Sequence, residues 1–135
     1  MTLFILLLTA VLCLAQPQPA YKNQSLAVED RVKDLLGRMT LEEKVAQLES
    51  TWQNLGQALD PSKRFVDSKG QLDEAKARIV LKSGLGEFSR PGEGRSPSEA
   101  VAFSNRVQRI TVENTRLGIP LIFHEECLHG LAARR

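Results

Sequence analysis

Apolar residues in the first half of the chain recur at the spacing of amphipathic helices. One set falls at i, i+4, i+7, i+8 and i+11, on a single face of a helix, and consists of Val28, Val32, Leu35, Leu36 and Met39. Gly37 is expected to end or loosen this helix. Thr40-Leu-Glu-Glu43 then has the composition of a capping box, and helical spacing continues through Leu48 to Trp52. The pattern therefore predicts a second helix that runs to Trp52.

The most clearly marked helix start in the chain is Ser96-Pro-Ser-Glu99. Ser96 suits the N-cap, Pro97 suits the first helical position, and Glu99 completes a capping box. Apolar residues follow at helical spacing, and the positive charge of Arg116 suits the end of a helix. These signals predict a long helix from Pro97 to Arg116.

Short apolar stretches lie on both sides of this long helix. Ile119 to Phe123 has no polar alternation, which is typical of a parallel strand buried on both faces. Before the helix, residues 79–81 and 84–88 predict a strand flanked by glycines, whose role is a tight turn or a close backbone approach. Residues 72–78 have short helical character, and residues 60–70 are predicted to form a surface loop. Strand, helix and strand in this order form a βαβ unit, so the predicted fold class is α/β.

Charge and composition exclude several function classes. The chain has 135 residues, with 18 Lys and Arg against 16 Asp and Glu, and its net charge is +2. This balance argues against a nucleic-acid partner, which needs a basic face. Aromatic residues are too few for a base-stacking platform. Trp52 suits the face of a sugar ring, although its place on the predicted helical stripe favours a core position.

Residues 1–15 have the pattern of a secretory signal peptide. Leu3 to Leu14 is apolar and too short to span a bilayer comfortably, and Ala15 follows as a small residue. Residues 16–25 then read as an extended linker. The sequence predicts a secreted or periplasmic protein with no stable membrane span after cleavage. Cys127 would be the single cysteine of the mature chain, so it cannot form an internal disulfide.

The segment His124-Glu-Glu-Cys-Leu-His129 follows the second predicted strand, and ligands of β/α folds bind at the carboxyl ends of strands. The two histidines lie five apart rather than four, so a helical zinc site is not predicted. Neighbouring residues of an extended chain point to opposite faces, so at most one of Glu125 and Glu126 faces a site. Glu87 and Arg90 are near the other strand end, where surface roles are favoured. No metal is predicted.

Residues 28–48, together with 115–123 and Glu126-Cys-Leu-His-Gly130, resemble glycoside hydrolase family 3 over residues 26–135. The resemblance implies the start of an amino-terminal (β/α)8 barrel of the TIM type. It also implies an exo-acting β-glycosidase that removes terminal non-reducing β-D-xylosyl or β-D-glucosyl residues with retention. The partner would be a carbohydrate, and no cofactor is implied.

The resemblance also assigns substrate-binding positions. Glu126 would bind hydroxyls of the terminal sugar, and His129 would either touch the sugar or orient the loop. At the position of Glu126, many β-glucosidases of the family have Asp, whereas xylosidase-type members have Glu. A longer carboxylate crowds the space that the hydroxymethyl group of glucose needs, so a β-xylosidase type is favoured.

The chain departs from the family in its length. The nucleophile and the acid/base of the family come further along the barrel, so no catalytic residue is assigned in this chain. A barrel of this type takes roughly 250 residues. We therefore expect residues 26–135 to be a truncated barrel domain without activity of its own. The alternative hypothesis is a small secreted helical binding module that is complete as it stands.

Overall fold

The computed structural model describes residues 18–53, 60–128 and 130. The predicted signal peptide, residues 1–15, lies outside the described residues. The chain divides into two compact units, Met1–Arg38 and Met39–Arg135.

The first unit consists of a 3-10 turn, Ala20–Lys22, and helix α1, Val28–Arg38. The Asp34 carboxylate accepts the Tyr21 backbone N–H at 3.0 Å and pairs with Arg38 at 2.9 Å. The Arg38 hydrogen bond is the largest cause that lowers the pKa of Asp34. Helix α1 confirms the prediction, but the helix continues past Gly37 by one residue.

The second unit contains a parallel three-stranded sheet among its described residues. Its elements, in chain order, are α2 Leu41–Ala46, β1 Ser50–Trp52, α3 Glu74–Val80, β2 Glu87–Ser89, α4 Pro97–Asn114 and β3 Ile122–His124. The strand order is β1-β2-β3, and both pairs are parallel. Helices connect consecutive parallel strands, so the predicted α/β class is confirmed.

Helix α4 forms where its capping signals place it. The Ser96 hydroxyl accepts the Glu99 N–H, and the Glu99 carboxylate accepts the Ser96 N–H. The helix ends at Asn114, two residues before the predicted end, and Arg116 instead binds Glu43 of α2. Glu43 is buried, and the hydrogen bonds from Arg116 are the first cause that lowers its pKa. This pair joins the end of α4 to the start of α2.

The prediction that the second helix reaches Trp52 is wrong. Helix α2 ends at Ala46, and residues 50–52 form β1. The Ala46 and Glu49 carbonyls accept the N–H groups of Gly86 and Glu87, at 2.9 and 3.2 Å. Pairing with a distant segment therefore satisfies the backbone that a continued helix would have satisfied locally.

The predicted strand before α4 is also shifted. Ile79 and Val80 belong to α3 rather than to a strand, and Leu81 caps that helix. Ala77 and Leu81 are buried one helical turn apart, because this face of α3 packs into the core. Strand β2 begins later, at Glu87.

Gly86 confirms the prediction of a close backbone approach. A Cβ atom at this position would lie 2.2 Å from the Gln47 carbonyl oxygen. The Gly86 N–H binds the Ala46 carbonyl, and its own carbonyl accepts the Ile122 N–H at 2.9 Å. Gly86 therefore brings α2 and the start of β3 against the same short segment.

The core lies between the sheet and helices α3 and α4. Its buried residues are Phe65, Val66, Ala77, Leu81, Leu85, Phe88, Phe103, Val107, Ile110 and Leu121. Phe65 and Val66 correct the prediction of a surface loop over residues 60–70, because each is only 1% exposed. The Gln53 side chain satisfies the backbone beside them: it accepts the Phe65 N–H at 3.0 Å and donates to the Lys63 carbonyl at 3.1 Å.

Strand β3 differs from the prediction in position and burial. It covers Ile122–His124, later than the predicted 119–123, and Ile122 is 63% exposed. The prediction of burial on both faces is therefore wrong for this chain. Only one face of the sheet is covered by α3 and α4 of the described residues.

Candidate functional site

The two faces of the sheet carry different side chains. Phe88 packs against Phe103 of α4, with ring centroids 5.4 Å apart, and so marks the face towards the helices. Side chains alternate along a strand, so the neighbours of Phe88 and its strand partners point to the other face. On that face the register aligns Trp52, Ser89 and His124 at the carboxyl ends of the strands. We call this the open face.

Trp52 is on the open face and not in the core, contrary to the favoured prediction. It is 43% exposed. Its indole N–H donates to Glu93 Oε2 at 2.9 Å, and the Arg90 guanidinium carbon lies 5.1 Å from the ring centroid. Because residue 52 belongs to a strand rather than a helix, the helical stripe no longer determines where its ring points. Its exposed ring agrees with the sugar-platform alternative.

Arg90 and Glu93 lie in the loop after β2, and both side chains are largely covered. Arg90 Nη2 is 3.0 Å from Glu93 Oε1, and the two side chains are 23% and 19% exposed. Arg90 also has the left-handed φ of 56°, which is uncommon outside glycine. The partial cover of Arg90 and its contact with Glu93 agree with the alternative that Arg90 reaches a site. Glu93 had no sequence signal beyond its place in a loop.

The same loop is anchored from two sides. Arg95 donates to the Pro91 carbonyl at 2.9 Å and to the Gly70 carbonyl at 2.8 Å, and it lies 3.8 Å over the Phe103 ring. From the other side, Glu125 Oε1 accepts the Gly92 N–H at 2.5 Å. These contacts fix the backbone that carries Arg90 and Glu93.

The two adjacent glutamates have separate positions, as the sequence predicts. Glu125 binds the loop backbone at Gly92, whereas the Glu126 side chain is 59% exposed. Glu126 Oε2 is 4.0 Å from Arg90 Nη1. The structure therefore brings Glu126 next to Arg90, whose guanidinium also faces the Trp52 ring, and leaves the Glu126 carboxylate open to solvent.

Of the remaining predicted residues, His129 lies outside the described residues, so its role stays a prediction. His124 is on the open face, and its Nδ1 is 3.6 Å from Glu87 Oε2. Within the described ranges, no three or more His, Cys, Asp and Glu side chains are grouped to hold a metal ion. No described helix has the length and apolar character to cross a membrane.

The part of the chain that contains this site is similar in sequence to known proteins. Residues 40–135 match the family described as "Glycosyl hydrolase family 3 N terminal domain". The chain is 37% identical over 113 residues to "Putative beta-xylosidase" of Formosa agariphila. The aligned region makes up 84% of this chain and 14% of that protein. The chain is 34% identical over 112 residues to "Beta-glucosidase C" of Emericella nidulans, with coverage of 83% and 16%. The chain thus spans less than one fifth of the length of either relative.

Proposed function

This chain belongs to glycosyl hydrolase family 3, and from that membership we propose that it forms the sugar-binding corner of an exo-acting β-glycosidase. The reaction is hydrolysis, with retention, of terminal non-reducing β-D-xylosyl or β-D-glucosyl residues. The observation that carries the proposal is the exposed Glu126 carboxylate, 4.0 Å from Arg90 at the carboxyl ends of parallel strands. An ionised carboxylate accepts several hydroxyl hydrogen bonds at once, which suits a sugar.

We further propose that the sheet is the first part of a (β/α)8 barrel. The open face would then point into the barrel, and α3 and α4 would belong to its outer ring. The 63% exposure of Ile122 on the open face supports this assignment, because barrel interiors are filled by branched apolar side chains. The parallel sheet and the family match favour this proposal over the helical binding module.

The names of the relatives do not decide between the two sugars, because they include both a β-xylosidase and a β-glucosidase. The proposed preference for xylosides therefore depends on Glu126. We expect Glu126→Asp, made in the full-length enzyme that contains this chain, to shift the ratio of kcat/KM for nitrophenyl β-glucoside over β-xyloside upward by about tenfold. Shortening the carboxylate by one methylene makes room for the hydroxymethyl group, and such a group is worth ~1–3 kcal/mol in a pocket.

Glu113→Asp is the matched control for this experiment. Glu113 is on α4 and its side chain is 63% exposed, close to the 59% of Glu126. The control should leave the glucoside-to-xyloside ratio unchanged. If Glu126→Asp also leaves that ratio unchanged, the crowding argument fails.

The 135-residue chain by itself is expected to have no glycosidase activity. Retaining hydrolysis takes two carboxyl groups about 5 Å apart across the scissile bond, and Glu125, next to Glu126, is bound to the Gly92 backbone. The measurement is release of nitrophenol from a nitrophenyl β-xyloside by the refolded chain, compared with buffer alone. Turnover clearly above buffer would contradict this prediction.

Export of the protein, to the periplasm or the outside of the cell, remains a proposal. It is supported by the signal-peptide pattern over residues 1–15. An extracellular or periplasmic place also suits an enzyme that shortens carbohydrate chains from their non-reducing ends.

A further inference from the structure

The Glu93 carboxylate contacts two side chains of the candidate site, Trp52 and Arg90. Its Oε2 accepts the Trp52 indole N–H at 2.9 Å, and its Oε1 is 3.0 Å from Arg90 Nη2. With 19% of the side chain exposed, the carboxylate is partly withdrawn from solvent, which strengthens both contacts. One side chain therefore sets the position of an indole ring from β1 and of a guanidinium from the loop after β2.

Arg90 lies between two carboxylates at different distances. Arg90 Nη2 is 3.0 Å from Glu93 Oε1, whereas Arg90 Nη1 is 4.0 Å from Glu126 Oε2. The Arg90 backbone N–H also binds the His124 carbonyl at 2.7 Å, which ties the residue to the end of β3. The stronger pairing with Glu93 draws the guanidinium away from Glu126.

We propose that Glu93 is a positioning residue that keeps Arg90 from neutralising Glu126, and so leaves the Glu126 carboxylate available for sugar hydroxyls. A guanidinium released from Glu93 would be attracted to the nearest remaining carboxylate, which is Glu126. Arg–carboxylate pairs are often bidentate, and such a pair would occupy the oxygens that the sugar needs. This inference rests on the proposed sugar-binding role of Glu126.

The kinetic experiment uses the full-length enzyme with a nitrophenyl β-xyloside. Glu93→Ala should raise KM about tenfold and change kcat by less than about threefold, because a charged hydrogen-bond site for ground state and transition state alike is lost. Glu93→Gln keeps the size of the side chain, removes its charge, and should raise KM by a smaller factor. Glu113→Ala, on the exposed face of α4, is the control and should leave both constants unchanged.

A double variant separates competition by Arg90 from a general structural effect. Glu93→Ala combined with Arg90→Gln removes the released guanidinium together with its partner. We expect KM of this double variant to return most of the way from the raised value of Glu93→Ala to the wild-type value. Far-ultraviolet circular dichroism verifies the fold of each variant. A double variant no better than Glu93→Ala, or a Glu93→Ala enzyme equal to the Glu113→Ala control, would overturn the inference.

The position of Trp52 supplies a readout that does not depend on activity. Trp52 is the single tryptophan of the 135 residues, so the emission of this chain reports its surroundings. Glu93→Ala should increase quenching of that emission by acrylamide, a neutral quencher, by about twofold, because the indole loses the partner that holds it in place. Unchanged quenching would overturn the positioning role of Glu93. A wild-type enzyme inactive on both xylosides and glucosides, with the quenching change present, would instead contradict the proposed function.

Discussion

Replacing Glu126 by alanine in the full-length enzyme is expected to lower kcat/KM for a nitrophenyl β-xyloside by about a hundredfold or more. A hydrogen bond to a charged group is worth roughly 1.5–3 kcal/mol, and each 1.4 kcal/mol corresponds to tenfold. If the Glu126 carboxylate binds two sugar hydroxyls as proposed, its loss therefore corresponds to about two orders of magnitude or more in kcat/KM. The loss should fall on activity rather than on folding, because the Glu126 side chain is 59% exposed and outside the core.

Two further variants test the assignment of Glu126. Glu126→Gln, which keeps the shape but removes the charge, should fall between wild type and Glu126→Ala. Glu113→Ala should keep wild-type kinetics. A Glu126→Ala enzyme within threefold of wild type, with an unchanged melting temperature, would show that the sugar is held elsewhere.

Replacing Gly86 by alanine is expected to lower the free energy of unfolding by more than about 3 kcal/mol, the range reached by severe backbone clashes and overpacking in cores. The added Cβ would lie 2.2 Å from the Gln47 carbonyl oxygen, which belongs to backbone and cannot rotate away. Relief requires the segment to move, and this breaks the hydrogen bonds of Gly86 to Ala46 and Ile122. Urea or thermal unfolding of the chain, followed by circular dichroism, measures the loss.

Gly37→Ala is the matched control, since it adds the same methyl group to another glycine. A Cβ at Gly37 meets nothing within 4 Å, and the residue is helical. Alanine there should raise stability by up to about 1 kcal/mol. If both variants unfold at the wild-type midpoint, the close approach at Gly86 has no energetic consequence, and the account of how α2 meets β2 is wrong.

Elements set by neighbouring residues were predicted well from the sequence. Helix α4 begins where Ser96 and Glu99 form a capping box, and α2 begins at the Thr40 capping box. These hydrogen bonds join residues three apart, so the local sequence contains all of their partners. The separate positions of Glu125 and Glu126 also follow locally, from the alternation of an extended chain.

Several elements set by distant residues differ from the prediction. Strand β1 replaces a predicted helix because its partners on β2 are 37 residues away in sequence, from Ser50 to Glu87. The sequence predicts a surface loop around Phe65, yet the Phe65 ring packs against Phe88, with ring centroids 6.1 Å apart. A local pattern contains no information about such a partner, and burial depends on what packs opposite.

The candidate site divides in the same way. Glu126 is a candidate from its own motif, beside a strand end that the sequence indicates, and its role stays a prediction. Glu93 was not recognised, because its two partners, Trp52 and Arg90, come from different elements and meet only when β1 pairs with β2. The sequence therefore determined which single residues are candidates for binding a ligand. Their neighbours in the site were decided by the parallel sheet, which brings strand ends that are far apart in sequence to one edge.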